Sequence, residues 1–171
     1  WAKLNNLKQA AKTMNFLTEH GISSYGELEG KLSTVSARRD TVHAEIKRIE
    51  SRSAELVLVM KHATTYRQLK PIYDRYRKSG DKEKFLRGHE SEIILFEAAA
   101  RELKRLGAVP LPITESMKTE LAKLNAEKER LLTEYKTART EAQKYDTVKQ
   151  NVDALLAVPK EQEQQRRHEL E

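Results

Sequence analysis

The chain carries two long series of hydrophobic positions spaced alternately by four and three residues, which is the spacing of one helix face packed as in a coiled coil. The first series lies in residues 28–63 and the second in residues 117–156. No turn signal interrupts either series. Pro71 follows the first series and either kinks its helix or starts a second helix after a break at about residues 63–70. Pro159 follows the second series. The pattern therefore predicts two long helices, over residues 21–63 and 114–158. The members are Leu28, Leu32, Val35, Arg39, Val42, Ile46, Ile49, Ser53, Leu56, Met60 and Ala63, then Met117, Leu121, Leu124, Lys128, Leu131, Tyr135, Ala138, Ala142, Tyr145, Lys149, Val152 and Leu156.

Helices of this length need a partner along the hydrophobic series. Two pairings are open: the two helices can pair with each other in antiparallel, or they can pair with a second chain in a homodimer. Arg39, Lys128 and Lys149 stand at core-like positions and would restrict the register in either case. We favour the pairing within one chain.

Shorter signals divide the rest of the sequence. An apolar stripe of Leu4, Leu7, Ala11, Met14 and Leu17 predicts an N-terminal helix over residues 1–20, which His20-Gly21 ends. Residues 64–113 read as a basic helical cap, with a break near Gly88 and a proline-rich linker from 108 to 113. Residues 159–171 read as a polar, disordered tail. The predicted fold class is all-α: an elongated antiparallel helical hairpin, coiled-coil-like, with a small helical cap between the two long helices.

Composition agrees with narrow cores rather than one thick core. Hydrophobic residues make up 38% of the chain and charged residues 34%, against roughly 45–50% and about 25% in an average globular domain. The absence of cysteine excludes disulfides and thiolate sites and fits a cytoplasmic protein. No run approaches the roughly 20 apolar residues of a membrane helix, so no membrane insertion is expected. The first residue is Trp1, and we expect the chain to be a fragment of a larger protein.

The net charge of +6 belongs to one segment, residues 61–87, because its nine basic residues face only three acidic ones. Aromatic residues are interleaved with these cations, and two interpretations stay open. Cations can bind nucleic-acid phosphates while tyrosines stack on unpaired bases; alternatively, the helix is solvated and its tyrosines face a core. The candidate nucleic-acid-binding residues are Lys61, Arg67, Lys70, Arg75, Arg77, Lys78, Lys82, Lys84 and Arg87, and the interleaved aromatic residues are Tyr66, Tyr73, Tyr76 and Phe85.

The sequence offers no motif for catalysis. No two of its five histidines stand three or four residues apart, and HExxH, the phosphate-binding glycine loops and GxSxG are all missing. Its carboxylates alternate with cations as on solvated helix faces. No catalytic, cofactor-binding or metal-binding residue is predicted, and no cofactor is expected.

Four stretches resemble a known family. Residues 6–29 (NLKQAAKTMNFLTEHGISSYGELE), 73–80 (YDRYRKSG), 85–99 and 151–156 (NVDALL) are similar to the region downstream of the nuclease domain in relaxase/mobilisation nuclease proteins of conjugative transposons and mobilisable plasmids. The similarity covers most of residues 1–157, and its first stretch is the most specific.

The resemblance implies a parent enzyme that nicks a DNA transfer origin with a tyrosine and a histidine-bound metal. None of that machinery maps onto this chain. What the resemblance implies here is a non-catalytic accessory domain that contacts DNA, relaxosome proteins or coupling proteins. The alternative is a coiled-coil spacer or dimerisation arm that does not bind nucleic acid.

Overall fold

The computed structural model describes the backbone of residues 2–168 and the side chains of residues 6–157. It contains four helices: α1 (Ala2–Glu19), α2 (Tyr25–Lys78), α3 (Lys82–Arg105) and α4 (Thr114–His168). The described part of the chain has no β-strand. The predicted all-α class is therefore confirmed.

The end of α1, the start of α2 and the end of α3 lie at glycine and serine signals in the sequence. Gly21 and Gly107 follow α1 and α3 with φ of 60° and 66°, the left-handed conformation that glycine adopts without steric cost. Ser24 caps α2, since its Oγ accepts a hydrogen bond from the Glu27 N–H at 3.2 Å. The Glu27 carboxylate reaches back one residue further and accepts the Ser23 N–H at 2.7 Å. That bond is the main cause of the lowered pKa of Glu27.

Pro71 does not end the first long helix, so the predicted boundary at residue 63 is wrong. α2 continues through Pro71 to Lys78. A proline inside a helix removes one backbone hydrogen bond, a cost that tertiary packing can offset. Here Tyr66 and Tyr73, on either side of the proline, both stack on Phe96 of α3. These contacts hold the helix on both sides of Pro71 against α3.

Pro159 does not end the second long helix either. The backbone of α4 is helical to His168, so the prediction that the helix stops at 158 is wrong. An interior proline removes one backbone hydrogen bond and crowds the carbonyl four residues earlier, and α4 continues in spite of that cost. Of the predicted tail 159–171, the last three residues lie outside the described part of the chain.

The contacts group the chain into two compact units that cut across the long helices. We call residues 1–44 with 131–171 the terminal unit and residues 45–130 the central unit. This grouping differs from the sequence-based segments because both long helices contribute to both units.

In the terminal unit, α1 packs with the first part of α2 and the last part of α4. Ile22, Leu28, Tyr145 and Val148 form its buried core, and Phe16 and Leu17 pack against it. Tyr25 bonds to Asp153, whereas Arg38 pairs with Glu134. Residues later in α2 thus contact residues earlier in α4, so the two helices run in opposite directions here.

Of the described members of the apolar stripe predicted for α1, only Leu17 packs against the core. Leu7 and Met14 are 67% and 60% exposed, whereas Thr13 is only 2% exposed. Leu4 lies outside the residues whose side chains are described. α1 turns the Thr13 face inward because Asn151 donates a hydrogen bond to the Thr13 hydroxyl at 3.1 Å and Phe16 meets the ring of Tyr145.

In the central unit, α3 and the linker that follows it pack on the adjoining parts of α2 and α4. The core consists of Leu56, Val59, Ala63, Leu103 and Met117. Lys128 pairs with Glu50 at 2.9 Å and Glu120 with Arg52 at 2.8 Å. The linker side chains Ala108 and Leu111 pack against the same core.

The two hydrophobic series predict burial well. Every member of both series is buried or half-buried except Leu156, which is 56% exposed. The charged members of the two series are half-buried. Lys128 bonds to Glu50, and this bond lowers the pKa of the Glu50 carboxyl. Lys149 reaches Asp153 at 3.0 Å.

Candidate nucleic-acid interface

The candidate interface is built from the last turns of α2, the turn at residues 79–81 and the first turns of α3. Ser79 and Gly80 break the helix, and Asp81 caps α3 because its Oδ1 accepts the Lys84 N–H at 2.9 Å. The Ser79 hydroxyl donates to the Asp81 carbonyl at 2.9 Å. The predicted break near Gly88 corresponds to non-helical backbone angles at His89, where two helical pieces meet within α3.

The structure leaves all nine sequence-predicted cations exposed. Two of them have partners. Lys70 contacts Asp74 at 2.7 Å, and this bond raises the pKa of the Lys70 ammonium group. Arg67 donates to the Thr114 hydroxyl at 2.6 Å and to the Pro112 carbonyl at 2.7 Å, so it holds the linker before α4 against α2.

The side chains of the other seven cations form no ion pair or hydrogen bond with any residue that the structure describes. Two of the three nearby acidic residues are engaged elsewhere, Asp74 with Lys70 and Asp81 in the cap of α3. The turn between α2 and α3 is therefore a strongly positive surface whose charges point to solvent. These seven cations, which we call the basic corner, are Lys61, Arg75, Arg77, Lys78, Lys82, Lys84 and Arg87.

The interleaved aromatic side chains make a continuous row of ring contacts on the inner side of the same elements. Phe96 stacks on Tyr66 and Tyr73, with ring centroids 4.7 and 4.2 Å apart. The ring centroids of Tyr73 and Tyr76 lie 6.0 Å apart, and those of Tyr76 and Phe85 lie 6.2 Å apart. Each ring that the sequence singled out is half-buried. The row supports the core-packing interpretation of the tyrosines rather than stacking on unpaired bases.

Sequence reasoning missed the roles of Phe96 and His89 in this arrangement. Phe96 is 5% exposed and stacks on the rings of Tyr66 and Tyr73. The ring centroids of His89 and Phe85 lie 4.6 Å apart. The helical spacing of Phe96 with Ile93 and Leu103 placed it on the inner face of α3, but the sequence contains no signal for its ring partners. Ile94, next to Ile93 in α3, is 55% exposed.

The structure adds no sign of a metal centre or a membrane segment in the part that it describes. No group of three or more histidines and carboxylates there is placed to hold a metal ion. Within the same residues, no helix combines the length and apolarity required to cross a bilayer.

Comparison with protein-family models, with curated proteins and with solved structures gives no match.

Proposed function

We propose that this chain is a non-catalytic accessory domain of a relaxase-like DNA mobilisation protein, acting in the cytoplasm, and that its basic corner binds the phosphate backbone of DNA. The observation that supports this proposal is the set of seven exposed cations whose side chains form no ion pair among the described residues, six of which lie within residues 75–87 around the turn between α2 and α3. Lysine and arginine bind DNA by displacing counterions from its phosphates, which requires no fixed pocket. The resemblance of residues 6–29 and 73–80 to mobilisation proteins supports the parentage.

The same proposal includes the architecture. We infer that α2 and α4 form an antiparallel, coiled-coil-like hairpin, supported by the opposite direction of the two helices within each unit. In this arrangement Lys128 of α4 pairs with Glu50 of α2 across the two helices. Relaxosome and coupling proteins are the proposed protein partners.

DNA binding can be measured by fluorescence anisotropy with a labelled duplex at several salt concentrations. Binding is expected to fall steeply between roughly 50 and 200 mM salt. Changing Arg75→Ala together with Arg77→Ala should weaken binding and reduce the slope of log K against log salt by about two, since each arginine neutralises one phosphate.

A matched control removes the same charge from elsewhere on α2. Lys47 and Arg48 are exposed but pair with Glu50 and Glu45. The control Lys47→Ala with Arg48→Ala should leave the salt slope of binding nearly unchanged. No binding at low salt, or equal weakening in the two double variants, would contradict a DNA contact at the basic corner.

The non-catalytic assignment has its own test. The chain is incubated with supercoiled DNA and Mg²⁺ or Mn²⁺, and nicked circles are measured by gel electrophoresis. We expect no nicking above the buffer control. Nicking that survives purification to homogeneity would overturn the assignment.

A second candidate is a spacer or homodimerisation arm without nucleic-acid contact. It is favoured by exposed apolar side chains in the central unit, since Val57, Ile94 and Leu95 are all more than half exposed. This candidate predicts a concentration-dependent mass in sedimentation equilibrium and no effect of the basic-corner changes. A constant monomer mass at high concentration would contradict the homodimer.

A further inference from the structure

A groove between α1 and α4 in the terminal unit is lined by ten residues and has a volume of about 360 Å³. Binding sites for small molecules commonly measure roughly 300–1,000 Å³. The buried Thr13 and the ring of Phe16 lie on its α1 side, and Val148 and Asn151 on its α4 side. The sequence contains no signal for this groove. Positive and negative charges are nearly balanced outside residues 61–87, and the residues that line the groove come from two distant parts of the chain.

The charge of this groove is one-sided. Lys12 of α1 and Lys144 of α4 both line it, and its ten lining residues include no aspartate or glutamate. Within the described residues neither lysine forms an ion pair or hydrogen bond. The groove thus brings two unpaired cations from two helices to one hollow, where like charges repel each other until an anion lies between them.

The hydrogen-bonding groups of the groove also favour a ligand rich in acceptors. The hydroxyls of Thr140 and Thr147 donate to carbonyls of their own helix at 2.9 and 2.8 Å. Their protons are therefore in use. The lysine ammonium groups and the side-chain amides of Gln9 and Gln143, which line the same groove, have no partner among the described residues and can donate to a ligand.

An apolar, aromatic surface lies beside these donors. Phe16 lines this groove and the neighbouring hollow, which also contains Lys136, Glu141 and Lys144. Its ring is fixed by His20, stacked at 3.9 Å, and by the edge of Tyr145 at 5.1 Å. A rigid ring next to two cations suits a ligand that joins an anionic group to a planar or apolar one.

We propose that the groove between α1 and α4 binds a phosphate-bearing ligand with a planar part, the chemistry of a nucleotide, through Lys12 and Lys144. The ligand can be a free mononucleotide or a nucleotide unit of a single-stranded nucleic acid. The site belongs to the terminal unit and is independent of the DNA contact proposed for the basic corner of the central unit.

The test is a titration of the full chain, labelled with ¹⁵N, followed by NMR. The side-chain amide of Asn151 is the reporter, because it lines the groove and donates to Thr13 at 3.1 Å. Three ligands are compared at matched ionic strength: thymidine monophosphate, a short oligothymidylate and sodium chloride. We expect saturable shifts of Asn151 and Gln143 with a nucleotide ligand and no such shifts with sodium chloride.

The variant Lys12→Gln with Lys144→Gln should weaken nucleotide binding by about tenfold, the sum expected of two exposed charge contacts. Lys8→Gln is the matched control, because Lys8 is exposed on α1 but does not line the groove. It should leave the affinity unchanged. Amide spectra of both variants check that the fold is retained.

The ligand arms separate the two sources of the nucleotide. Saturation by the monophosphate supports a free nucleotide, and saturation by the oligomer alone supports a strand. Absence of groove shifts with both ligands, equal shifts with sodium chloride, or unchanged affinity in the double variant would overturn the proposal. Shifts confined to the basic corner would overturn this site while leaving the proposed DNA contact intact.

Discussion

The hydroxyl of Tyr25 donates a 2.6 Å hydrogen bond to the carboxylate of Asp153, although 128 positions separate the two residues in the sequence. Lys149 contacts the same carboxylate at 3.0 Å and lies over the Tyr25 ring at 5.2 Å from its centroid. The first turn of α2 is thereby tied to the last part of α4 within the terminal unit. Neither Tyr25 nor Asp153 belongs to a hydrophobic series, so the spacing of hydrophobic residues does not predict this contact.

This contact makes stability depend on pH in a defined direction. The hydrogen bond from Tyr25, and then that from Lys149, lower the pKa of Asp153 in the folded protein. A lowered folded pKa adds stability above the unfolded value of about 3.9, and that stability is lost as pH falls through the folded pKa. Asp153→Asn should therefore be less stable than the unchanged protein at pH 7, and the difference should disappear in acid.

Thermal unfolding followed by circular dichroism across the acid range measures this effect. Asp146→Asn is the control, because Asp146 lies on the same helix and accepts a bond from Gln150 of that helix at 2.9 Å. A stability difference for Asp153→Asn that persists unchanged at the acid end would show that the carboxylate charge is not the cause.

Pro71 should be a destabilising residue in α2. It lies inside a continuous helix, where proline costs up to about 3 kcal/mol relative to alanine because it lacks the N–H donor. Pro71→Ala should raise the free energy of unfolding by about 1–3 kcal/mol. Urea unfolding measures the change. Pro112→Ala, in the linker before α4, is the control and should bring no gain, and a destabilised Pro71→Ala would show that the helix requires the proline.

Ser53 carries a buried hydroxyl without a hydrogen-bond partner among the described residues. Such a group costs about 1 kcal/mol or more, since it loses its bonds to water and gains none. Ser53→Ala should therefore stabilise the protein by about 1–2 kcal/mol in chemical denaturation. Ser51→Ala, at an exposed position of the same helix, should gain only the helix-propensity difference of about 0.5 kcal/mol. Equal gains at the two positions would rule against a cost of the buried hydroxyl.

Thr13 should matter more to stability than its hydrophobic neighbour Met14. Thr13→Val removes the acceptor of the Asn151 hydrogen bond and should cost about 1–3 kcal/mol, whereas Met14→Ala, at a 60% exposed position, should change stability by less than about 0.5 kcal/mol. The comparison uses the midpoint and slope of urea unfolding. The reverse order would indicate that α1 presents its Leu7–Met14 face to the core.

The candidate interface was predictable in its charges but not in its contacts. The nine cations all lie within residues 61–87. Charged lysine and arginine side chains stay in water because burial would remove their hydration, so the exposure of all nine was predictable. The bond from Arg67 to Pro112 was not predictable, because it depends on the path of a linker 45 residues away. For the same reason the ring partners of Tyr66 and Tyr73 could not be read from their spacing.

The sequence by itself determined the all-α class, the positions of Gly21 and Gly107 after their helices, and the two hydrophobic series that become the buried seams of α2 and α4. These features depend on local backbone preferences and on helical periodicity, which act over a few residues. Only the tertiary structure decided that α1 buries Thr13 instead of Met14, that α2 passes through Pro71, and that Lys12 and Lys144 line the same groove. Such outcomes depend on which side chains from distant segments meet, and the free energy of those contacts exceeds the local preference for a stripe or a helix stop.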